Sequence, residues 1–201
     1  GIARAGVTAV LVHPRLTPAE VASLLASAAC RTLVVDATTG LEAPAGVDAM
    51  PLDAIEAAPA PTGTGPGEFV VPTSGTTARP KLARLPLNRL TASAAAWNAC
   101  LPPATGWLLS LGLAHVAGLG IVLRAAAAGV PLVVPAETDA PGLLDAIGAA
   151  AQAGVHVSHL SLVAAQLTAL LDATADGPPP TSIRAVILGG GPIPEGLVRR
   201  A

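Results

Sequence analysis

Residues 70–81 read Val-Val-Pro-Thr-Ser-Gly-Thr-Thr-Ala-Arg-Pro-Lys, an apolar run that leads into hydroxyl side chains around a glycine and then a Pro-Lys pair. This order of residue types suits a polyphosphate, because Gly75 lets backbone N–H groups converge and Lys81 adds a positive charge. The hydroxyl groups that would donate to phosphate oxygens belong to Thr73, Ser74, Thr76 and Thr77. The segment is not a Walker A loop, since the second glycine and the Gly-Lys-Ser/Thr ending are missing. On residue types alone, an ordinary turn between two strands explains it equally well.

On both sides of this loop, short apolar runs alternate with Ala- and Leu-rich stretches. Several runs are continuous in Val, Ile and Leu, which is typical of strands covered on both faces of a mostly parallel sheet. The predicted strands are residues 7–12, 32–35, 69–71, 107–110, 131–134, 156–160 and 185–188. The predicted helices are residues 18–28, 89–98, 116–128, 142–153 and 162–174. We therefore expect a layered α/β fold with a mostly parallel sheet, incomplete at both ends.

Two local signals organise the N-terminal part of the chain. Thr17 and Glu20 form a predicted capping box, with Pro18 at the first helical position. Residues 54–67 are rich in Pro, Gly, Ala and Thr and are predicted to connect a small βαβ part, residues 1–53, to residues 68–201.

Composition excludes several classes of function. Of the 201 residues, 52% are hydrophobic and only 12% are charged, with a net charge of -2. No basic run is present, and the aromatic residues are few, so we expect no nucleic-acid partner. No apolar run reaches the roughly 20 uninterrupted residues of a membrane span. The apolar excess instead favours an inner slice of a larger protein, and Cys30 and Cys100 fit neither a metal site nor a redox pair, which predicts a reducing cytoplasm.

Three further segments carry candidate site residues. Taken alone, His115 is better explained as a buried histidine with satisfied hydrogen bonds. Ser161 is equally compatible with a helix cap and with a ligand contact, whereas Gln166 is expected on a solvated helix face. The triplet Gly189–Gly191 follows a buried strand and suits close approach of the backbone to a planar ligand.

The order of these motifs resembles the acyl- and aryl-adenylate-forming superfamily. Residues 73–81, Thr-Ser-Gly-Thr-Thr-x-x-Pro-Lys, resemble its signature loop, and residues 6–17, 111–119 and 183–192 resemble its other motifs in family order. Residues 157–167, Val-Ser-His-Leu-Ser-Leu-Val-Ala-Ala-Gln-Leu, look like a segment of the o-succinylbenzoate–CoA ligases. The chain departs from the family at Ala78, where glycine is usual, and at Gly112 and Ala164, where proline is usual.

The resemblance implies roles for individual residues. Residues 73–77 and Lys81 would hold the ATP phosphates, Gly189, Gly190 and Gly191 would line the adenine pocket, and His115 and Ser161 would lie near the acyl group. His115 and Lys81 are the expected catalytic residues, and no protein metal ligand is assigned within the chain. ATP, Mg²⁺ and coenzyme A are the implied cofactors and co-substrates, with a small carboxylic acid as the partner. Residues 68–201 would be the ATP- and acyl-binding part of the N-terminal domain.

The implied reaction has two steps and belongs to menaquinone biosynthesis. A carboxylate attacks the ATP α-phosphate and releases pyrophosphate, and the CoA thiol then displaces AMP. The family's magnesium-binding glutamate and its C-terminal domain with a catalytic lysine are expected outside these residues, so the 201-residue chain alone is expected to be inactive. A homodimer is compatible with the family. Two alternatives remain: a ligase for another acyl or aryl acid, and a truncated, non-catalytic binding module.

Overall fold

The computed structural model describes residues 6–36, 38–57, 67–73, 81–175 and 180–201. The chain divides into two compact units, residues 1–89 and 90–201. Each unit is an α/β assembly with its own sheet and its own buried apolar cluster. The predicted α/β class with mostly parallel strands is confirmed.

The first unit contains two small sheets. Strands β1 (Thr8–Val10), β4 (Glu68–Thr73) and β5 (Lys81–Pro86) form one of them, in which β1 is parallel and β5 antiparallel to β4. Strands β2 (Thr32–Val35) and β3 (Asp48–Pro51) form a parallel pair, followed by helix α2 (Leu52–Ala57). Helix α1 (Pro18–Ser27) buries Val21 and Leu25 against Leu33.

The predicted capping box at the start of α1 is confirmed. The backbone N–H of Glu20 donates to Thr17 Oγ1 over 3.3 Å, and the Thr17 N–H donates to the Glu20 carboxylate over 2.8 Å. These hydrogen bonds stabilise the charged carboxylate and lower the pKa of Glu20. Two backbone donors at the helix end are thereby satisfied within one turn.

The second unit is built on one parallel four-stranded sheet in the order β7-β6-β8-β9. Its strands are β6 (Trp107–Leu108), β7 (Leu132–Val133), β8 (His159–Leu162) and β9 (Ala185–Leu188). Its helices are α3 (Leu87–Cys100), whose first turn belongs to the first unit, α4 (Val116–Ala128), α5 (Ala140–Gln152), α6 (Ala164–Ala173) and α7 (Glu195–Arg200). All four residues of β8 are buried, as expected for a central parallel strand.

The predicted strands are all present: residues 32–35 and 185–188 have the predicted ends, and the ends of the others are shifted. The run at residues 156–160 forms a strand only from His159 to Leu162, and residues 155–158 before it have no regular secondary structure. Strands β3 and β5 were not predicted, since their sequences, Asp-Ala-Met-Pro and Lys-Leu-Ala-Arg-Leu-Pro, lack a β-branched apolar run. Helix α2 occupies the first part of the segment predicted as a connection, and the domain division at residues 54–67 stays a prediction.

Within the described ranges, no helix is both long and apolar enough to cross a bilayer. The longest of them, α3, has 14 residues. A spanning helix needs about 20.

Helix α4 passes very close to the loop that precedes it. A Cβ atom at Gly118 would lie 2.3 Å from the carbonyl oxygen of Gly112 and 2.5 Å from that of Leu111. Both contacts are with backbone, which cannot move aside as a side chain end would. The absence of a side chain at Gly118 therefore sets the path of residues 111–115 against the helix.

Replacing Gly118 with alanine should lower the free energy of unfolding by about 1–3 kcal/mol, the usual cost of overpacking. Gly148 in α5 is a matched control, because no atom lies within 4 Å of the Cβ position there. Gly148→Ala should raise stability by up to about 1 kcal/mol through helix propensity. Denaturant unfolding of the two variants measures the difference, and equal stability of Gly118→Ala and wild type would refute the close approach.

Candidate substrate site

The ends of the predicted phosphate loop lie side by side in the first unit. Thr73 ends β4 and Lys81 begins β5, and the two residues are opposite each other in the antiparallel pair. The Thr73 hydroxyl donates to the Lys81 carbonyl oxygen over 3.1 Å. Lys81 is exposed and is the only lysine in the sequence. The predicted phosphate contacts Ser74, Gly75, Thr76 and Thr77 lie outside the described residues.

His115 lies at the N-terminus of α4 in the second unit. It is the N-cap residue, with extended backbone, and its carbonyl oxygen accepts the N–H of Leu119 over 3.2 Å. The side chain is exposed, so the interpretation of His115 as a buried histidine is wrong. His115 thus lies between β6 and α4, whereas its acyl-site role stays a prediction.

Ser161 lies inside β8 and is buried. It does not cap α6, because Val163 is the N-cap residue and Ala164 the first helical residue. Its hydroxyl oxygen instead accepts a hydrogen bond from Arg124 Nη2 over 2.9 Å, and its carbonyl oxygen accepts one from the Ser110 hydroxyl. The helix-cap interpretation of Ser161 is therefore wrong.

Arg124 is the central polar residue of the second unit. Its side chain is only 8% exposed, and its guanidinium carbon lies 4.8 Å from the centre of the Trp107 ring. Nε is buried without a hydrogen bond, and none of the salt bridges among the described residues includes Arg124. Burial lowers the pKa of Arg124, but a guanidinium stays protonated in proteins. The unit thus holds a buried positive charge that forms no ion pair with a described carboxylate.

Trp107 connects Arg124 to a group of buried polar side chains. The rings of Trp107 and His159 have centroids 4.9 Å apart, and His159 Nδ1 lies 2.8 Å from the Ser158 hydroxyl. The same hydroxyl accepts the Thr105 backbone N–H over 2.8 Å. Trp107 Nε1, His159 Nε2 and Arg124 Nε have no hydrogen-bond partner within the described part of the chain. Such groups are rare in protein interiors and indicate a place for water or a ligand.

The glycine triplet forms a turn beside the end of β8. The Gly189 N–H donates to the Leu162 carbonyl over 3.2 Å. Gly190 has φ +83°, a conformation that favours glycine, and a Cβ there would lie 3.3 Å from Val163 Cγ1. The structure therefore brings Ser161 and residues 189–191 to the same edge of the sheet.

Gln166 connects three chain segments at this edge. Its side-chain amide donates to the Ser110 carbonyl over 2.9 Å and to the Thr138 carbonyl over 3.1 Å, and its Oε1 accepts the Val163 N–H over 3.2 Å. The expectation of a solvated face is wrong for this residue. Gln166 ties the loop after β6, which leads to His115, to the end of β8.

A pocket of about 160 Å³ opens between α3 and α4 within the second unit. On each helix the pocket residues lie one, three or four positions apart, so they share one face of that helix. The lining residues are Leu90, Ser93, Ala94, Trp97, Val116, Gly120, Leu123 and Arg124. The pocket is thus mainly apolar, with one charged group.

Gly120 makes room for this charged group. A Cβ at Gly120 would lie 3.0 Å from Arg124 Nη1 and 3.6 Å from the guanidinium carbon. The guanidinium therefore occupies the space that a side chain at Gly120 would fill.

Arg124 and Trp97 were missed as site residues. Arg124 is the only charged residue in the sequence of α4, Val-Ala-Gly-Leu-Gly-Ile-Val-Leu-Arg-Ala-Ala-Ala-Ala, and this isolation was an available signal. Nothing in the sequence alone indicated that Trp97 faces the same pocket. Among the described residues, no group of three His, Cys, Asp or Glu side chains is arranged to hold a metal ion.

Comparison with known proteins places these features in a family. The family model described as AMP-binding enzyme matches residues 1–201. The chain belongs to the AMP-binding enzyme family. The chain is 40% identical to the probable 2-succinylbenzoate–CoA ligase of Mycobacterium tuberculosis over 136 residues. The matched region is 66% of this chain and 35% of that relative. The chain spans about a third or less of the length of the curated relatives it matches.

Solved structures agree with this family membership. The o-succinylbenzoate CoA synthetase of Bacillus subtilis in complex with its acyl-adenylate intermediate is 26% identical, with a TM-score of 0.80 over 96% of this chain and 41% of that one. The same enzyme in complex with ATP and magnesium ion is 25% identical, with a TM-score of 0.79 over 97% of this chain and 42% of that one. The chain therefore has the fold of the N-terminal domain of adenylate-forming enzymes such as this synthetase.

The buried His159 predicts a pH-dependent stability. Burial lowers the pKa of His159, the nearby Arg184 and Arg124 lower it further, and the Pro102 carbonyl opposes them. The unfolded chain binds a proton near pH 6.5 while the folded ring stays neutral, so the free energy of unfolding should fall as pH drops below about 6.5. The loss should end when pH reaches the lowered pKa of the folded protein.

Denaturant unfolding between pH 8 and pH 5 measures this slope. His159→Gln removes the titrating ring and should give a shallower fall than wild type, whatever its stability at pH 8. An identical pH slope in the two proteins would contradict a neutral, buried His159.

Proposed function

We propose that the protein carrying this chain is an AMP-forming acid–CoA ligase whose acid is 2-succinylbenzoate. Arg124 is the observation that carries the proposal, because its buried guanidinium lines an apolar pocket and has no carboxylate partner among the described residues. Family membership and the named relatives support the same activity.

The chemistry of the acid explains the unpaired charge. 2-Succinylbenzoate has two carboxylates, and only one of them becomes the acyl group of the adenylate. The other stays negative throughout, and in an apolar pocket it needs an opposite charge. Arg124 supplies that charge, and its geometry suits a carboxylate fork.

The contacts of Arg124 leave part of its guanidinium free for the acid. Nη2 donates to Ser161, Nε is buried without a hydrogen-bond partner among the described residues, and the Arg124 side chain borders the pocket. Ser161 thereby orients the guanidinium, and this contact supports the proposed position of Ser161 near the acyl group. Trp107 lies under the guanidinium, and this cation–π contact contributes about 0.5–2 kcal/mol. An acidic side chain in the same place would instead compete with the carboxylate of the substrate.

The nucleotide would be bound by the hairpin and by the glycine turn. Thr73, residues 74–77 and Lys81 would hold the ATP phosphates, and Gly189, Gly190 and Gly191 would line the adenine pocket. Mg²⁺ when bound would neutralise phosphate charge, and the family's magnesium-binding glutamate is expected outside these residues.

The reaction proceeds in two displacements. A carboxylate oxygen attacks the α-phosphorus of ATP, and the bond to pyrophosphate breaks. The CoA thiol then loses its proton and attacks the acyl carbon, and AMP leaves. Lys81 stabilises the phosphate charge, and His115 lies near the acyl group at the start of α4. In this proposal the enzyme acts in menaquinone biosynthesis in the cytoplasm, and a homodimer and the inactivity of the isolated 201-residue chain stay predictions.

Pyrophosphate release from ATP and Mg²⁺ tests the proposal in the longest natural form of the protein. We expect release with 2-succinylbenzoate in preference to fatty and simple aryl acids. Lys81→Ala should lower kcat about 100-fold or more, since it removes a charge from the transferring phosphates, and Lys81→Arg should recover part of it. Release with a different acid would keep adenylation and reject this substrate. No release with any acid from folded protein would favour a non-catalytic binding module.

A further inference from the structure

The two tryptophans of the chain have opposite environments. Trp107 is completely buried beneath Arg124, whereas Trp97 on α3 is 43% exposed. Trp97 nevertheless lines the α3–α4 pocket that also contains Arg124. The indole ring of Trp97 is thus partly exposed to solvent at the wall of an apolar pocket that also contains a positive charge.

The spacing of the pocket residues places them on one face of each helix. Leu90, Ala94 and Trp97 follow each other at intervals of four and three residues on α3, so they share one face. Val116 and Leu123 present the corresponding face of α4. On this face Ala94 is buried, Leu90 is half-buried and Trp97 is exposed, so the described chain covers only part of it.

The size of the pocket limits what can occupy it. A cavity of roughly 150 Å³ in another protein accommodates benzene, so a pocket of about 160 Å³ has room for one six-membered ring. A long acyl chain needs considerably more volume. An acid with one aromatic ring and a carboxylate that reaches Arg124 fits both the volume of the pocket and its positive charge.

We propose that Trp97 is a specificity-determining residue whose indole packs against the aromatic ring of the acid while Arg124 binds its second carboxylate. This inference rests on the proposed function and adds to it the group that selects an aromatic over an aliphatic acid. An indole and a benzene ring attract each other beyond the area they bury, which an aliphatic chain cannot reproduce. Covering Trp97 also removes its exposed apolar surface from water.

Calorimetric binding of the acid to the longest natural form of the protein tests this inference without turnover. Trp97→Leu keeps an apolar side chain and removes the ring, and Trp97→Phe keeps a ring. Val198→Ala is a control, because Val198 is 58% exposed and does not line the pocket. The ligands are 2-succinylbenzoate and an aliphatic dicarboxylate of similar length.

Trp97→Leu should weaken 2-succinylbenzoate binding about two- to tenfold, with little change for the aliphatic acid. Trp97→Phe should lie closer to wild type, and Val198→Ala should match it. Acid binding should also change the tryptophan fluorescence of wild type more than that of Trp97→Phe, in which only Trp107 of the two tryptophans remains. Equal weakening of both acids, or unchanged binding of 2-succinylbenzoate to folded Trp97→Leu, would overturn the inference.

The two proposals can fail separately. If 2-succinylbenzoate binds with this dependence on Trp97 but supports no pyrophosphate release, the proposed ligase activity fails and the role of Trp97 stands. If release occurs and Trp97→Leu binds the acid as wild type does, the activity stands and the role of Trp97 fails. If wild type does not bind the acid, the inference is rejected.

Discussion

The guanidinium of Arg124 is buried and has no acidic partner in the part of the chain that the structure describes, and several residues of the second unit are arranged around this charge. Burying a cation alone costs several kcal/mol, so the protein must supply other contacts. Trp107 provides an aromatic face, Ser161 accepts one hydrogen bond, and Gly120 leaves the space that the guanidinium occupies. A carboxylate in the same place would neutralise the charge permanently. Its absence leaves the charge available to a ligand.

The sheet edge provides the rigid frame for this arrangement. Strand β8 is buried along its whole length and carries Ser161, and the turn at residues 189–191 lies against its end. Gln166 joins this end to the loop after β6, whose path against α4 depends on Gly118. Loops at the carboxyl ends of parallel strands are the usual ligand sites of open α/β sheets. Here hydrogen bonds and close backbone contacts hold them beside a buried apolar cluster that includes Leu160 and Leu162.

The sequence predicted those features that depend on local order. Continuous Val, Ile and Leu runs indicated the parallel strands, and the pairing of Thr17 with Glu20 indicated a helix start. Family motifs predicted a role for Ser161, but its partner Arg124 lies 37 positions away on α4 and could not be identified from spacing. Gln166 was misjudged for the same reason, since its acceptors come from two loops that only the fold brings together. Ala164 is understandable afterwards: it is the first residue of α6, where proline is well tolerated.

The central claim is that Arg124 binds the second carboxylate of the acid, and a double-mutant cycle tests it most directly. Adenylation would be measured with 2-succinylbenzoate and with an analogue in which the carboxyl that is not activated is absent, in wild type and in Arg124→Met. Methionine fills similar volume, and replacing a buried charge by an apolar side chain is often tolerated. We predict that Arg124→Met lowers kcat/KM for the diacid roughly 30-fold or more, and leaves the analogue nearly unchanged. An equal decrease for both acids would contradict the account.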